Sequence, residues 1–262
     1  MNTHASYDPQ YFIPLFQAEG RHFWFISRNR ILEDVLKSLD AQLPAGYFAL
    51  ELGCGNGNTL RVTESACQRG KVTGSDLFFS GLRLARLRVS CPLVQADVQA
   101  LPFERKFSLV SFFDVLEHIR DDRGFIEKVK QILLPGGYLV VTVPADPALW
   151  SYFDEASHHE RRYTSEALTQ LLEESGYEIV RMTAFMSLTY PVVWLRRKLA
   201  GKQGNPGTQI DSNTLALQEL HVAGILNWLL IQLLKLELAW LKRGRSFKRG
   251  SSLLAIARLK IN

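Results

Sequence analysis

Apolar residues recur along this chain in two alternating rhythms. Short dense runs at 47–52, 71–75, 92–96, 107–113, 138–143 and 177–183 read as strands. Between them, at 59–69, 81–89, 122–133 and 165–175, the apolar residues fall at helical spacing. Phe107–Phe113 is almost wholly apolar, as a strand covered on both faces should be. Gly70, Pro144 and Gly176 punctuate the pattern, Pro135-Gly136-Gly137 should stop the third of these helices, and Thr164 is suited to cap the last. Strands alternating with helices imply a parallel sheet with helices on both faces.

The rhythm is different at the two ends. The first segment is rich in aromatics, from Tyr7 to Phe25, and becomes helical from Ile26 to Leu39 before Pro44 and Gly46 end it. After residue 183 the alternation breaks. Residues 201–207 form a turn-rich linker, and 215–241 read as one long apolar helix. Ser251–Leu259 then reads as a seventh strand returning to the sheet. The expected units are a helical cap (1–44), an α/β core (45–186), a helical insert (187–249) and a final strand (250–262).

Length and composition agree with a globular α/β protein: 262 residues, 47% apolar and 22% charged. The polar N-terminus has no apolar core of a signal peptide and is no transit peptide, and the three cysteines form no C-x-x-C pair. Both point to a reducing cytoplasm. The net charge of +5 is unevenly spread. Residues 190–250 hold ten Lys/Arg against three acids, +7, which leaves −2 for the remainder. Such a region favours an anionic partner. In 225–241, 13 of 17 residues are apolar, but Lys235 and Glu237 interrupt them, and a spanning helix needs ~20 mostly uncharged residues. Packing over the acceptor site, a homodimer interface, and peripheral contact of 225–249 with the inner membrane face are the readings this leaves open.

The chemistry concentrates at residues 49–58, Ala-Leu-Glu-Leu-Gly-Cys-Gly-Asn-Gly-Asn. A strand ends here, turns sharply and opens a helix whose free N–H groups face a ligand. A nicotinamide site wants G-x-G-x-x-G. Here the spacing is G-x-G-x-G, Asn58 stands at the third glycine's place, and Glu51 precedes the turn. An acid there suits an ammonium group better than a pyrophosphate.

This E-x-G-x-G-x-G pattern resembles the first motif of class I S-adenosylmethionine (SAM)-dependent methyltransferases, and the family's other motifs follow in order over about 45–183. The resemblance implies a Rossmann-like seven-stranded sheet, mostly parallel with its last strand antiparallel. It implies methyl transfer from SAM, with S-adenosylhomocysteine as product. It places Glu51, Gly53, Cys54, Gly55 and Gly57 at the cofactor, Asp76 on the ribose hydroxyls with Leu77 beside it, and Asp97 and Val98 at the adenine. Phe113 and Arg28 complete this set, Arg28 on the methionine carboxylate under a lid containing Trp24. The segments 22–25 (HFWF), 114–118 (DVLEH) and 158–164 (HHERRYT) resemble the ubiquinone-O-methyltransferase-like, type 11/23 small-molecule methyltransferases, many of them in bacterial polysaccharide or lipid biosynthesis.

That likeness implies an acceptor hydroxyl on a small molecule, a sugar or a lipid-linked intermediate. His118 and His159 are the candidate bases, and Arg162, Tyr163 and Trp24 the candidate acceptor contacts. Asp114, Glu117 and His118, at i, i+3 and i+4, would share one face if helical, and His159 would complete an O/O/N/N set suited to a divalent metal. Plant small-RNA 2′-O-methyltransferases resemble this chain there and use such an ion; a metal-free pocket is the other reading. An RNA 2′-O-methyltransferase and a SAM-binding protein without turnover are the alternatives in function. Nucleic-acid amine methylation loses support, because Asp114-Val115-Leu116-Glu117 stands where its Asn/Asp-Pro-Pro-aromatic sequence would be.

Overall fold

The structure is a computed structural model describing residues 9–104, 106–200, 220 and 222–261. Seven strands form one sheet: β1 (Phe48–Leu52), β2 (Lys71–Asp76), β3 (Leu93–Gln95), β4 (Phe107–Phe113), β5 (Leu133–Pro144), β6 (Tyr177–Phe185) and β7 (Ser252–Leu259), in the order β3-β2-β1-β4-β5-β7-β6. All neighbours from β3 to β5 pair parallel, and β7 runs antiparallel between β5 and β6. This is the seven-stranded, mostly parallel sheet with an antiparallel last strand that the sequence pattern led us to expect.

Side chains alternate across a strand, so consecutive apolar residues feed opposite layers. Leu109, Val140 and Leu254 pack with α2 (Phe23–Gln42) and α3 (Asn58–Ala66) through Leu32, Leu36 and Leu60. Their chain neighbours Val110, Val141 and Ala255 pack with α5 (Asp122–Ile132) and α7 (Ser165–Glu174) through Phe125, Ile126, Leu168 and Leu172. Every residue of β4 is buried. Among the described residues the remaining α-helices are α1 (Phe12–Ala18), α4 (Phe79–Ala85), α6 (Tyr152–Ala156), α8 (Tyr190–Ala200) and α9 (Gly224–Lys242).

Two boundaries differ from expectation. Pro135-Gly136-Gly137 does end α5, but it lies inside β5 rather than before it. Leu133 pairs with Phe107 and Tyr138 with Leu109, so the intervening residues bulge out and the strand resumes. Gly136 makes this feasible with a φ of 75°. The long C-terminal helix begins at Gly224 rather than at 215; residues 215–219 and the linker 201–207 lie outside the described residues.

Helix α9 is long and apolar enough to cross a membrane by length and composition. It is tied to the domain along its length. Asn227 accepts from the Phe23 N–H (2.7 Å) and donates to the Arg21 carbonyl (2.8 Å). Glu237, buried, accepts from the Ser187 and Leu188 N–H groups at 2.7 and 3.0 Å. Leu234 and Leu241 enter the core on the α2 side, and Lys242 meets Asp34 at 3.2 Å.

Candidate active site

A cavity of about 1610 Å³ opens at the C-terminal ends of β1, β2 and β4. That is the place where an open parallel sheet binds its ligand. A single small ligand fills ~300–1,000 Å³, so this one has room for a cofactor and an acceptor together.

The turn after β1 forms its floor. Gly53 has a φ of 67°, and a Cβ there would stand 2.4 Å from Val115 Cγ2. Gly57 (φ 82°) precedes α3, and a Cβ on it would stand 2.8 Å from the Ala85 Cα of α4. Gly53, Cys54 and Gly55 line the cavity. Gly57 does not; it lets α3 and α4 approach, which corrects its assignment to the cofactor. Asp76, at the end of β2, accepts from the Gly55 N–H (2.7 Å) and the Phe78 N–H (2.8 Å), and so holds two loops around one carboxylate. Leu77, Asp97, Val98 and Phe113 also line the cavity. The Asp97 carboxylate accepts from the Gln99 N–H (2.8 Å), which fixes its loop.

Glu51 is elsewhere. It is fully buried beneath the turn, where its two oxygens accept from the Thr59 hydroxyl (2.6 Å) and the Thr63 hydroxyl of α3. Burial pushes its carboxyl up to about 7 despite those bonds. It anchors α3 against β1 and does not line the cavity, so it is no direct partner for the cofactor's ammonium.

The opposite wall comes from α2. Arg28 is buried, donates to Asp114 at 2.5 Å, and lies 4.7 Å from the Trp24 ring centroid; all three residues line the cavity. Its Nε has no protein partner. Asp114 has a φ of 56° and also accepts from Thr142 Oγ1 at 3.2 Å. The left-handed kink removes Asp114 from any helical face shared with Glu117 and His118, which lie on a following 3-10 turn, Leu116–His118. Asp114 therefore leaves the four-residue metal set.

The acceptor side is built on a residue the sequence reading passed over. Asp154 caps α6 by accepting from the Ser151 N–H (2.9 Å). It also accepts from Arg162 Nε (2.7 Å) and Nη2 (3.0 Å), and bonds His159 Nδ1 at 2.9 Å. Burial pushes the Asp154 carboxyl upward, but His159 and the Arg162 guanidinium outweigh it and hold the group below its usual value. An ionised Asp154 accepts from Nδ1–H, which leaves the lone pair on His159 Nε2. That nitrogen stands 3.9 Å from Glu117 Oε1, and the His118 ring packs against His159 with centroids 4.8 Å apart. Ser151-x-x-Asp154, a capping-box pattern, was the signal that could have found Asp154.

Two acceptor assignments change here. Arg162 lines the cavity and commits three of its five N–H donors to Asp154 and the Ala145 carbonyl (3.0 Å), so its first role is to orient Asp154. Tyr163 is buried with its hydroxyl on Asp122 (2.8 Å) and does not line the cavity. Glu117, His118 and His159 each offer one ligand atom, all within 4.8 Å of one another. Glu117 is fully buried, both its carboxylate oxygens lack hydrogen-bond partners, and burial, then the Asp114 charge, push its carboxyl well above the usual range.

The family model described as methyltransferase domain (Methyltransf_23) matches residues 17–182. A probable S-adenosylmethionine-dependent methyltransferase of Mycolicibacterium smegmatis is 29% identical over 60% of each chain. A ubiquinone biosynthesis O-methyltransferase of Thiobacillus denitrificans is 26% identical over 56% of this chain and 72% of its own. The chain spans between 45% and 73% of the length of the first three curated relatives it matches. Among solved structures, a Haemonchus contortus phosphoethanolamine N-methyltransferase in complex with S-adenosyl-L-methionine superposes with a TM-score of 0.62 at 15% identity, over 98% of this chain and 59% of that one. A SAM-dependent methyltransferase of Clostridium acetobutylicum gives 0.54 at 14% identity, over 89% and 92%. The sheet order, the glycine turn over a cavity at the strand ends and the matched family model together place the chain in the Methyltransf_23 family of class I SAM-dependent methyltransferases.

Proposed function

We propose that the protein methylates a hydroxyl oxygen of a small-molecule, sugar or lipid-linked acceptor. The observation that carries this is the relay Arg162–Asp154–His159, whose histidine lines the same cavity as the glycine turn. Bound SAM supplies a sulfonium methyl group, which an acceptor oxygen receives in an in-line displacement while the sulfur keeps the electron pair. Gly53–Gly55, Asp76, Asp97, Val98 and Phe113 would hold the cofactor, with Arg28 and Asp114 at the opposite wall.

The chain's own residues supply position and a proton acceptor. Asp154 fixes the His159 tautomer and stabilises the imidazolium that forms when Nε2 takes the acceptor's proton. Arg162 keeps Asp154 ionised and in place. His118 and Phe153 wall the base from either side, with ring centroids 4.8 and 6.5 Å from that of His159. Incubating the protein with methyl-labelled SAM and fractionated cell extracts should label an alkali-stable ether. His159→Ala should abolish that label while SAM still binds. A labelled product that His159→Ala leaves untouched removes His159 as the base, and a labelled amine removes the oxygen acceptor.

One observation favours a second reading. The unpartnered Glu117 carboxylate, with His118 and His159 beside it, is a donor set suited to a divalent cation. The Asp154–His159 bond then matches the carboxylate that commonly orients a metal-bound imidazole. Equilibrium dialysis with Mn²⁺ or Zn²⁺ distinguishes the two: stoichiometric retention lost in Glu117→Gln supports the metal, and no retention supports the metal-free base.

A further inference from the structure

Helix α9 is apolar around most of its circumference and turns an apolar face outward. Only Leu234, Glu237 and Leu241 are buried. Ile225, Leu229, Leu233, Leu236 and Trp240, at helical spacing, make a stripe exposed to solvent, with Ile225 at 80% and Leu236 at 66%. Helix α8 adds Val192 (71% exposed), Trp194 and Leu195. Apolar patches of this kind mark a contact surface.

What it contacts is set by charge. Lys198 lies 4.6 Å from the Trp194 ring, and Arg245 lies 4.2 Å from the Trp240 ring. Arg243, Lys248 and Arg249, all exposed, follow α9. Among the described residues from 190 to 250 the sole acid is Glu237, and it is buried. Two such basic faces would repel each other in a symmetric pair. An apolar stripe with tryptophans and a basic border instead complements an anionic lipid surface. The anchors of α9 decide its orientation there. Asn227, Glu237 and the Arg181 bond to the Leu241 carbonyl (2.8 Å) would all be stripped from the domain if the helix crossed the bilayer.

We infer that α8 and α9 dock the protein on an anionic bilayer, with α9 lying in the interface, and that the acceptor is an amphipathic molecule resident in that bilayer. The second half rests on the reading of the cavity as a methyl-acceptor site. Val193, Arg196, Ala223 and Leu226, from the same two helices or the residue before α9, line that cavity, so it opens beside the docking face. An apolar chain can stay in the lipid while its polar end reaches His159.

The test is sedimentation of the full chain with vesicles of phosphatidylcholine alone or mixed with phosphatidylglycerol. The expected result is retention on the anionic vesicles, reduced by added salt. The triple variant Ile225→Ser/Leu229→Ser/Leu236→Ser, none of whose positions lines the cavity, should weaken retention at least ~10-fold, because it strips apolar surface from the face that enters the lipid. SAM binding by calorimetry reports whether that variant is folded. Should it not be, Lys248→Glu/Arg249→Glu gives the independent loss of retention. Tryptophan quenching by lipids brominated near the headgroup should exceed quenching by lipids brominated at the bilayer centre. Wild-type protein left in the supernatant, retention unchanged in both variants, deepest quenching at the bilayer centre, or a dimer split by the triple variant would each overturn the proposal. Vesicle retention without SAM binding would leave the docking surface standing and remove the catalytic reading; SAM binding without retention would do the reverse.

Discussion

Glu51 is an acid sealed beneath the turn that its own sequence motif advertises. Replacing it with glutamine keeps the shape and removes the charge. The folded-state carboxyl sits at about 7, against an ordinary 4.5, chiefly because burial disfavours the ionised form. Folded protein therefore keeps this proton to higher pH than the unfolded chain does. Between 4.5 and about 7 the folded state binds more protons, so stability falls as pH rises through that window. About two and a half pH units at ~1.4 kcal/mol each make a cost of about 3–4 kcal/mol, fully present above 7. Glu51→Gln has no such cost. Thr63 can turn its hydroxyl to the Thr59 carbonyl, 3.2 Å away, and leave its other lone pairs for the new amide. Other buried acids, Glu19, Asp76, Glu117 and Glu237 among them, are also raised by burial, but they affect both proteins alike. The quantity to measure is the difference in urea-unfolding free energy between variant and wild type, without SAM, from acid to mildly alkaline pH. It should grow in the variant's favour by about 3–4 kcal/mol across the window. A flat difference, or a variant less stable at the alkaline end, would refute the buried-carboxylate account.

The pocket makes three further expectations. Asp76→Ala releases the Gly55 and Phe78 N–H groups and should weaken SAM binding at least ~10-fold by calorimetry, since a hydrogen bond to a charged group is worth ~1.5–3 kcal/mol; unchanged affinity would remove Asp76 from the site. Gly57→Ala adds a Cβ 2.8 Å from the Ala85 Cα in left-handed backbone, and should lower stability by ~1–3 kcal/mol in a thermal melt. Asp154→Asn should reduce kcat on the order of 100-fold or more while SAM affinity stays within error, because the His159 tautomer is no longer fixed; an equal loss in both would mean that Asp154 only holds α6 in place.

Much of the fold was legible because β4 and α7 each carry a signal that only one environment satisfies. Phe107–Phe113 has no polar face to turn to water, and Thr164 caps the first turn of Ser165–Glu174 as its position suggested. The cavity lining at Gly53, Gly55, Asp76, Asp97 and Phe113 was legible for a related reason: glycines and acids at strand ends have few other uses there. What the pattern could not convey is which side of a backbone a side chain takes. Glu51 and Tyr163 stand within motifs, yet each points into the interior. Arg162 lines the site but turns three of its five N–H donors to the protein. Asp154 was missed because its role depends on a turn that brings residue 159 back over α6, and no local periodicity announces that. The start of α9 was misplaced because 215–241 stays apolar past the point where the helix begins.

Strand β7 lies between β5 and β6, and among the described residues β6 has beyond it only an isolated bridge from Ala184 to Phe247. The cofactor-side strands β1, β2 and β4 and the relay residues all precede residue 164. During synthesis the catalytic half can therefore take shape while the sheet still lacks its last interior strand. Until residues 252–259 leave the ribosome, the open edges of β5 and β6 and the outward face of α9 are exposed together. Nascent chains held at that stage should be the species that chaperones, or a nearby bilayer, capture first.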